Sequence, residues 1–285
     1  RMGKEAVIIN EDALPYGYEF MPQAGSIKRF NKKFWDIKFD CFVILDCSDL
    51  KRCGEVAKLA SCAKTILNID HHIGNEDFGD INWVDPKASS CAELIYRLYK
   101  GLRIPFDKET AMLLYAGILA DTGSFRYTNT NWLTHKIASG LLKYGIDVAR
   151  IYQDVFENIP FSDMKLLTRI LPAIRRDASG QIAWFEIKNK ILKNRKIYFD
   201  LSERLLGFAR SIKDVEVAVI FKENLKVKDE IRVNFRSQGR VDVNRIASFF
   251  GGGGHRTASG ATVKGKLETV ARKVLAKIKE AVNKL

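Results

Sequence analysis

Asp70-His71-His72 is the sharpest chemical signal in the chain, because two of only four histidines sit there beside a carboxylate. Carboxylate and imidazole together suit Mn²⁺, Co²⁺ or Mg²⁺, and imidazole tilts the balance toward the transition metals. Adjacent histidines at a strand end cannot both point one way. One can bind metal while the other faces substrate as an acid or a phosphate contact, so His72 and Asp70 are the catalytic candidates and His71 a ligand. A bare His-His pair also fits two polar turn residues.

Asp46 ends the apolar run Val43-Ile44-Leu45, where a carboxylate is badly solvated unless something positive meets it. It could instead cap the segment after Leu50, a role that Ser48 and Asp49 fill better. Asp121 follows Ile118-Leu119-Ala120 and precedes Thr122-Gly123, and alone it reads as a turn residue. Together Asp46, His71 and Asp121 supply ligands for a two-metal centre, whose ions, roughly 3.5–4 Å apart, activate water and clamp phosphoryl oxygens. Two ions want more ligands than these three.

A second group lies far along the chain, in Gly251-Gly252-Gly253-Gly254-His255-Arg256. Consecutive glycines let backbone N–H groups approach an anion, and the histidine and arginine add donors. The same run also fits a flexible loop. Arg236-Ser237, after an apolar strand pattern, can give a bidentate phosphate contact.

These residues need a frame. Residues 6–9, 41–45 and 64–69 read as strands, the last two as apolar runs buried on both faces. Residues 50–62, 89–99 and 109–119 read as helices. This alternation predicts a doubly wound, mostly parallel sheet whose site gathers at the carboxyl ends of its strands. Helices are expected over 132–144, 148–158 and 162–174, the last ended or kinked by Pro172. A smaller α/β C-terminal domain follows, with strands at 182–187, 215–221, 231–235 and 260–263, helices at 202–209 and 243–249, and a closing amphipathic helix from 266. The expected division is a catalytic domain over 1–158, a linker helix over 159–177 and a substrate-binding domain over 178–285, with a cleft between the domains.

The length of 285 residues accommodates two cores. At 46% hydrophobic and 28% charged residues the composition is that of a globular chain. No apolar run approaches the roughly 20 residues that a membrane-spanning helix needs. Five cysteines without Cys-x-x-Cys spacing argue against a disulfide framework or a zinc site, and point to free thiols in a cytoplasm. The net charge of +13 favours polyanionic partners, although lysine-rich surfaces also serve solubility alone.

In this order the motifs resemble the DHH phosphoesterase superfamily, and the segment 251–255 is similar to the signature of the DHH-associated C-terminal domain. The stretches Ile69–His72, Trp83-Val84-Asp85 to Ala88-Ser89-Ser90 with Glu93, 117–125 and 234–255 look most like its nanoRNase/3′-phosphoadenosine 5′-phosphate phosphatase branch. The resemblance implies hydrolysis of short oligoribonucleotides, linear dinucleotides or the adenosine bisphosphate, with two Mn²⁺ ions (or Co²⁺ or Mg²⁺) held by Asp46, His71 and Asp121. It implies that His72 meets the scissile phosphate and that Arg236, Ser237, Gly252, Gly253, Gly254 and His255 hold the nucleotide's distal end, with Arg126 as a further phosphate contact. Short RNA or nucleotide is the expected partner, no membrane is expected, and a homodimer is allowed. The alternatives are an exonuclease like RecJ, a cyclic-dinucleotide phosphodiesterase and a non-catalytic nucleotide-binding module. A manganese pyrophosphatase fits less well, because no glycine-histidine signature is expected there. The family opens with a His-x-x-x-Asp-x-Asp type motif that no residue here supplies. The polypeptide as given is therefore expected to be truncated and inactive, and its parent active.

Overall fold

A computed structural model describes residues 3–192 and 201–285. They form two units, Arg1–Asn158 and Ile159–Leu285.

In the first unit β1 (Ile9–Asn10) pairs in parallel with β2 (Lys28–Arg29). A second parallel sheet runs in the order β3 (Phe42–Leu45), β4 (Ile66–Asp70), β5 (Ile81–Val84). The connection from β3 to β4 is a 3-10 stretch, Leu50–Cys62, broken at Gly54, whose φ of 61° and ψ of −137° no helix contains. Four helices follow: α1 (Cys91–Gly101), α2 (Lys108–Asp121), α3 (Trp132–Leu142) and α4 (Val148–Tyr152). Each begins on a side chain that accepts an orphan backbone N–H: Ser90, Asp107, Asn131 and Asp147. Leu114, Ile118, Leu119, Ile137 and Leu141 make the helical core, and Leu94 with Cys91 packs onto Ile69 of β4.

Strand β3 corrects one expectation. Only Ile44 is buried, while Val43 and Leu45 stay 48% and 49% exposed. As an edge strand among the described residues, it has just one covered face. The strand expected at 6–9 shrinks to β1, and Val7 and Ile8 are exposed.

The second unit is a three-layer sandwich. It starts with α5 (Phe161–Ile170), whose Leu166, Leu167 and Ile170 enter the core of this unit; the segment read as a linker is thus packed, and Pro172 lies in the 3-10 turn Leu171–Ala173 that ends it. The strands β6 (Arg175–Arg176), β7 (Ile182–Ile187), β8 (Val217–Glu223), β9 (Glu230–Ser237), β10 (Gly253–His255) and β11 (Ala258–Lys264) form one sheet. Their order is β10-β11-β9-β8-β7-β6, antiparallel except for the β7–β8 pair. Helices α5 and α7 (Leu201–Arg210) cover one face, and α8 (Val243–Phe249) and α9 (Leu267–Val282) the other. The short α6 is Asn189–Leu192. Phe185, Phe221 and Phe235 are fully buried, each contributing about 1.5–3 kcal/mol of transfer free energy.

Candidate metal centre

Strand direction sets the site. Strands β3 and β4 run parallel, so their carboxyl ends lie side by side, with Asp46 just beyond β3 and Asp70 ending β4. The backbone at Asp46 is left-handed, with a φ of 58°. An aspartate tolerates this better than most residues, and such strain gathers at functional sites. Asp121 arrives as the last residue of α2, a helix end and not a strand end.

The His71 ring joins them. Its Nδ1 lies 3.2 Å from Ala88 O, and its Nε2 is 3.3 Å from Asp46 Oδ1 and 3.5 Å from Asp121 Oδ2. An Nδ1–H donated to the carbonyl leaves Nε2 aimed at two carboxylates, the arrangement in which metal-ligating histidines are held. One ligand atom from each of Asp46, His71 and Asp121 can be chosen so that all lie within 4.8 Å of one another, and Asp46, Asp70 and His72 form a second such group. The hard-to-borderline O/N donor set fits a cation of the Mn²⁺ type.

Titration follows the geometry. Burial pushes the Asp121 carboxyl up to about 6, with the neighbouring Asp46 charge adding to it. For His71 burial opposes protonation, yet the Asp46 hydrogen bond and both carboxylate charges outweigh it and raise the imidazole to about 9. Asp46 ends below the ordinary carboxylate range, because its His71 hydrogen bond overcomes desolvation. Nε2 thus faces both carboxylates, in the position where a cation would be attracted.

Asp70 is fully buried. Its Oδ1 accepts from the His71 backbone N–H (2.8 Å) and pairs with His72 Nδ1 (2.7 Å), while its Oδ2 accepts from Asn75 Nδ2 (2.6 Å). Burial resists the charge, but these bonds hold the carboxyl at about 2. A carboxylate so engaged orients His72.

The second unit departs further from expectation. Ser237 is buried and donates to Val241 O at 2.8 Å, bracing a turn. The Arg236 guanidinium pairs with Glu203 of α7 and donates to Phe235 O, so any anion must compete with Glu203. The glycine run is not a loose loop. The N–H groups of Gly251 and Gly252 close the end of α8 by donating to Ser248 O and Ala247 O, and Gly253, Gly254 and His255 pair with β11. A Cβ at Gly252 would lie 2.1 Å from Gly260 O, and one at Gly254 2.5 Å from Ala258 O. These two glycines serve close strand approach. Gly251 and Gly253 leave room for a Cβ, Gly251 at a left-handed φ of 74° and Gly253 with Asn244 Oδ1 at 3.9 Å, and that oxygen is buried without a hydrogen-bond partner. Arg126, exposed beside the site turn, donates its Nε to Gly123 O at 2.8 Å.

Family models settle the kinship. Residues 5–118 match the model described as DHH family, N-terminal domain, and residues 197–284 match the DHHA1 domain. The chain belongs to the DHH family. It is 34% identical over 201 residues to the bifunctional oligoribonuclease and PAP phosphatase NrnA of Bacillus subtilis, a match covering 70% of this chain and 62% of that protein. The NrnA of Thermus thermophilus is 30% identical over 220 residues, covering 77% and 65%. The chain thus spans less than two thirds of these curated relatives. Among solved structures, an exopolyphosphatase-related protein from Bacteroides fragilis superposes with a TM-score of 0.83 at 29% identity, covering 98% of this chain and 82% of that one.

This DHH-family site also uses residues that sequence reading passed over. Asn75 Nδ2 reaches Asp70 Oδ2, Asn68 Oδ1 and Cys47 O, and Asn68 in turn donates to Cys47 O and Ile44 O. Asn129 ties Ser89 O to Asp121 O; Glu93, which the sequence motif includes, is buried and accepts from both the N–H and the hydroxyl of Ser89. One signal was present: Asn68 interrupts an apolar strand, where a polar side chain must find partners.

Proposed function

We propose that this chain carries the catalytic centre of a phosphoesterase that hydrolyses short oligoribonucleotides, linear dinucleotides or 3′-phosphoadenosine 5′-phosphate. The observation that carries the reading is the convergence of Asp46, His71 and Asp121 on one point; the names of its relatives supply the substrate class. Asp46, His71 and Asp121 hold the cation, of which Mn²⁺ is the proposed identity and two the proposed number. When bound, such an ion polarises a phosphoryl oxygen and makes a water acidic enough to attack at neutral pH.

The side chains of this chain do the rest. Asp70 fixes the His72 ring, which is proposed to meet the scissile phosphate or to hand a proton to the leaving oxygen. Arg126, held by Gly123 O, is proposed as a second positive contact. In the C-terminal unit His255, Gly253 and the unpartnered Asn244 oxygen are proposed to take the nucleotide, with Arg236 engaging its phosphate once Glu203 yields. Three donors fall short of what two cations require, so this polypeptide by itself is proposed to be nearly inactive. Five free cysteines agree with a reducing cytoplasm as its compartment, and among the described residues no helix is long and apolar enough to cross a membrane.

The test compares Mn²⁺-dependent hydrolysis of oligoribonucleotides of rising length, by this polypeptide and by a longer form carrying the family's opening motif. Fast turnover of the shortest substrates by the longer form alone is expected. Preference for long strands would favour an exonuclease, and equal rates for the two forms would remove the ligand-shortage argument.

A further inference from the structure

Directly after Asp46 the chain places two thiols that the proposed hydrolysis does not use. The Sγ atoms of Cys47 and Cys53 lie 3.5 Å apart, and both residues are free cysteines. Cys47 Sγ also donates to Asp49 O at 3.0 Å, which keeps it on the inside of the turn that brings Cys53 back. Gly54 breaks the 3-10 stretch immediately after Cys53, so movement of Cys53 does not have to drag a continuous helix with it. A disulfide requires a separation of about 2.05 Å. Closing the remaining gap is a matter of side-chain rotation and a small backbone shift.

Such a shift has a direction of consequence. Cys47 is the next residue after Asp46, whose left-handed backbone leaves little room for adjustment. The carbonyl of Cys47 accepts from Asn68 and Asn75, and Asn75 is the residue that holds Asp70 Oδ2. A displacement of Cys47 therefore acts on the Asp46 carboxylate through the chain and on the His72 anchor through Asn75.

We propose that Cys47 and Cys53 form an oxidative modification site, closed to a disulfide by a peroxide, and that closure displaces Asp46 from His71. The chemistry balances in two steps. One sulfur attacks a peroxide oxygen: the O–O bond breaks, an S–O bond forms, and one water leaves with the thiol proton. The second sulfur then attacks the first: an S–S bond forms, the S–O bond breaks, and a second water leaves. Two thiols are oxidised by two electrons and the peroxide is reduced to two waters. A thiol reductant reverses the bridge.

The test uses the metal-free chain treated with hydrogen peroxide at one equivalent. Intact mass is expected to fall by two hydrogen atoms, peptide mapping to join Cys47 to Cys53, and dithiothreitol to restore the starting mass. Cys41→Ser should still cross-link and Cys53→Ser should not. In the same samples, imidazole signals of His71 in long-range ¹H–¹⁵N spectra are expected to move in the cross-linked wild type and to stay in place in treated Cys53→Ser. Sulfinic acid at Cys47 without a bridge, or a bridge through other cysteines, overturns the modification site. Unmoved His71 signals in the cross-linked protein overturn its coupling to Asp46. No metal is added, so a failure of the phosphoesterase reading would show separately, as absent Mn²⁺ uptake.

Discussion

His71 Nε2 stands 3.3 Å from Asp46 Oδ1, close enough to share a proton and well placed to exchange it for a cation. The imidazole pKa of about 9 measures how firmly the carboxylates hold that proton. Uptake of Mn²⁺ must expel it. Between pH 7 and pH 8.5, affinity should thus rise about tenfold per pH unit. Calorimetry in buffers of differing ionisation enthalpy should count close to one proton released; a flat pH profile would show that His71 is not a ligand.

The same group sets a stability profile for the metal-free protein. Its folded-state pKa lies above the ordinary 6.5, so its contribution is complete below pH 6.5 and disappears as pH rises through about 9. Thermal unfolding of wild type should lose midpoint temperature over that window, and His71→Gln should lose less. Parallel curves for the two proteins would argue against the shift.

Asn75→Ala removes the amide that satisfies Asp70 Oδ2 without touching any proposed ligand. Leaving that buried oxygen unpaired costs about 1–3 kcal/mol, visible in urea unfolding. In the longer form carrying the family's opening motif, loosening the anchor of His72 should weaken turnover by about 10–100-fold, with Asn75→Asp failing to rescue because it places a second carboxylate against Asp70. Full activity in Asn75→Ala would make the network purely structural.

Glu203 occupies the Arg236 guanidinium, the proposed phosphate contact. In the longer form carrying the family's opening motif, Glu203→Gln should lower the KM for a dinucleotide several-fold with little change in kcat, and Arg236→Ala should raise it. If Glu203→Gln leaves KM unchanged, Arg236 serves the fold alone.

Two glycines of one run should respond differently to alanine. Gly252→Ala drives a Cβ to 2.1 Å from Gly260 O and should destabilise the second unit by about 1–3 kcal/mol. Gly253→Ala has room, its nearest neighbour being Asn244 Oδ1 at 3.9 Å; it should keep stability and raise the KM for nucleotide. Equal stability losses would place both glycines in packing.

What could be read from sequence was local. The rule that sites gather at strand ends singled out Asp46 and Asp70-His71-His72 before any coordinates, and Asp121 joined them as the end of an apolar segment, which is helix α2. The internal partners of Asp70 and Ser237 were not legible, because a carboxylate or hydroxyl in a motif looks the same whether it faces substrate or the protein's own N–H and C=O groups. Asn75 and Asn129 stayed invisible for the same reason, since their partners lie 5 to 40 residues away in the chain. The glycine run left an anion cradle and a flexible loop both open, because composition does not reveal that Gly252 lies against Gly260. Strand β3 misled through its apolar run: a continuous hydrophobic pattern says that cover is wanted and does not say that it is present.

Strand β3 has consequences for anyone who handles this polypeptide. Among the described residues no strand pairs with its outer rim, which runs beside half-bare Val43 and Leu45 and is a template on which a stranger's extended segment can dock. Concentrated samples should therefore scatter light and clump, dilute ones should not, and a lysine at position 43 should keep them clear.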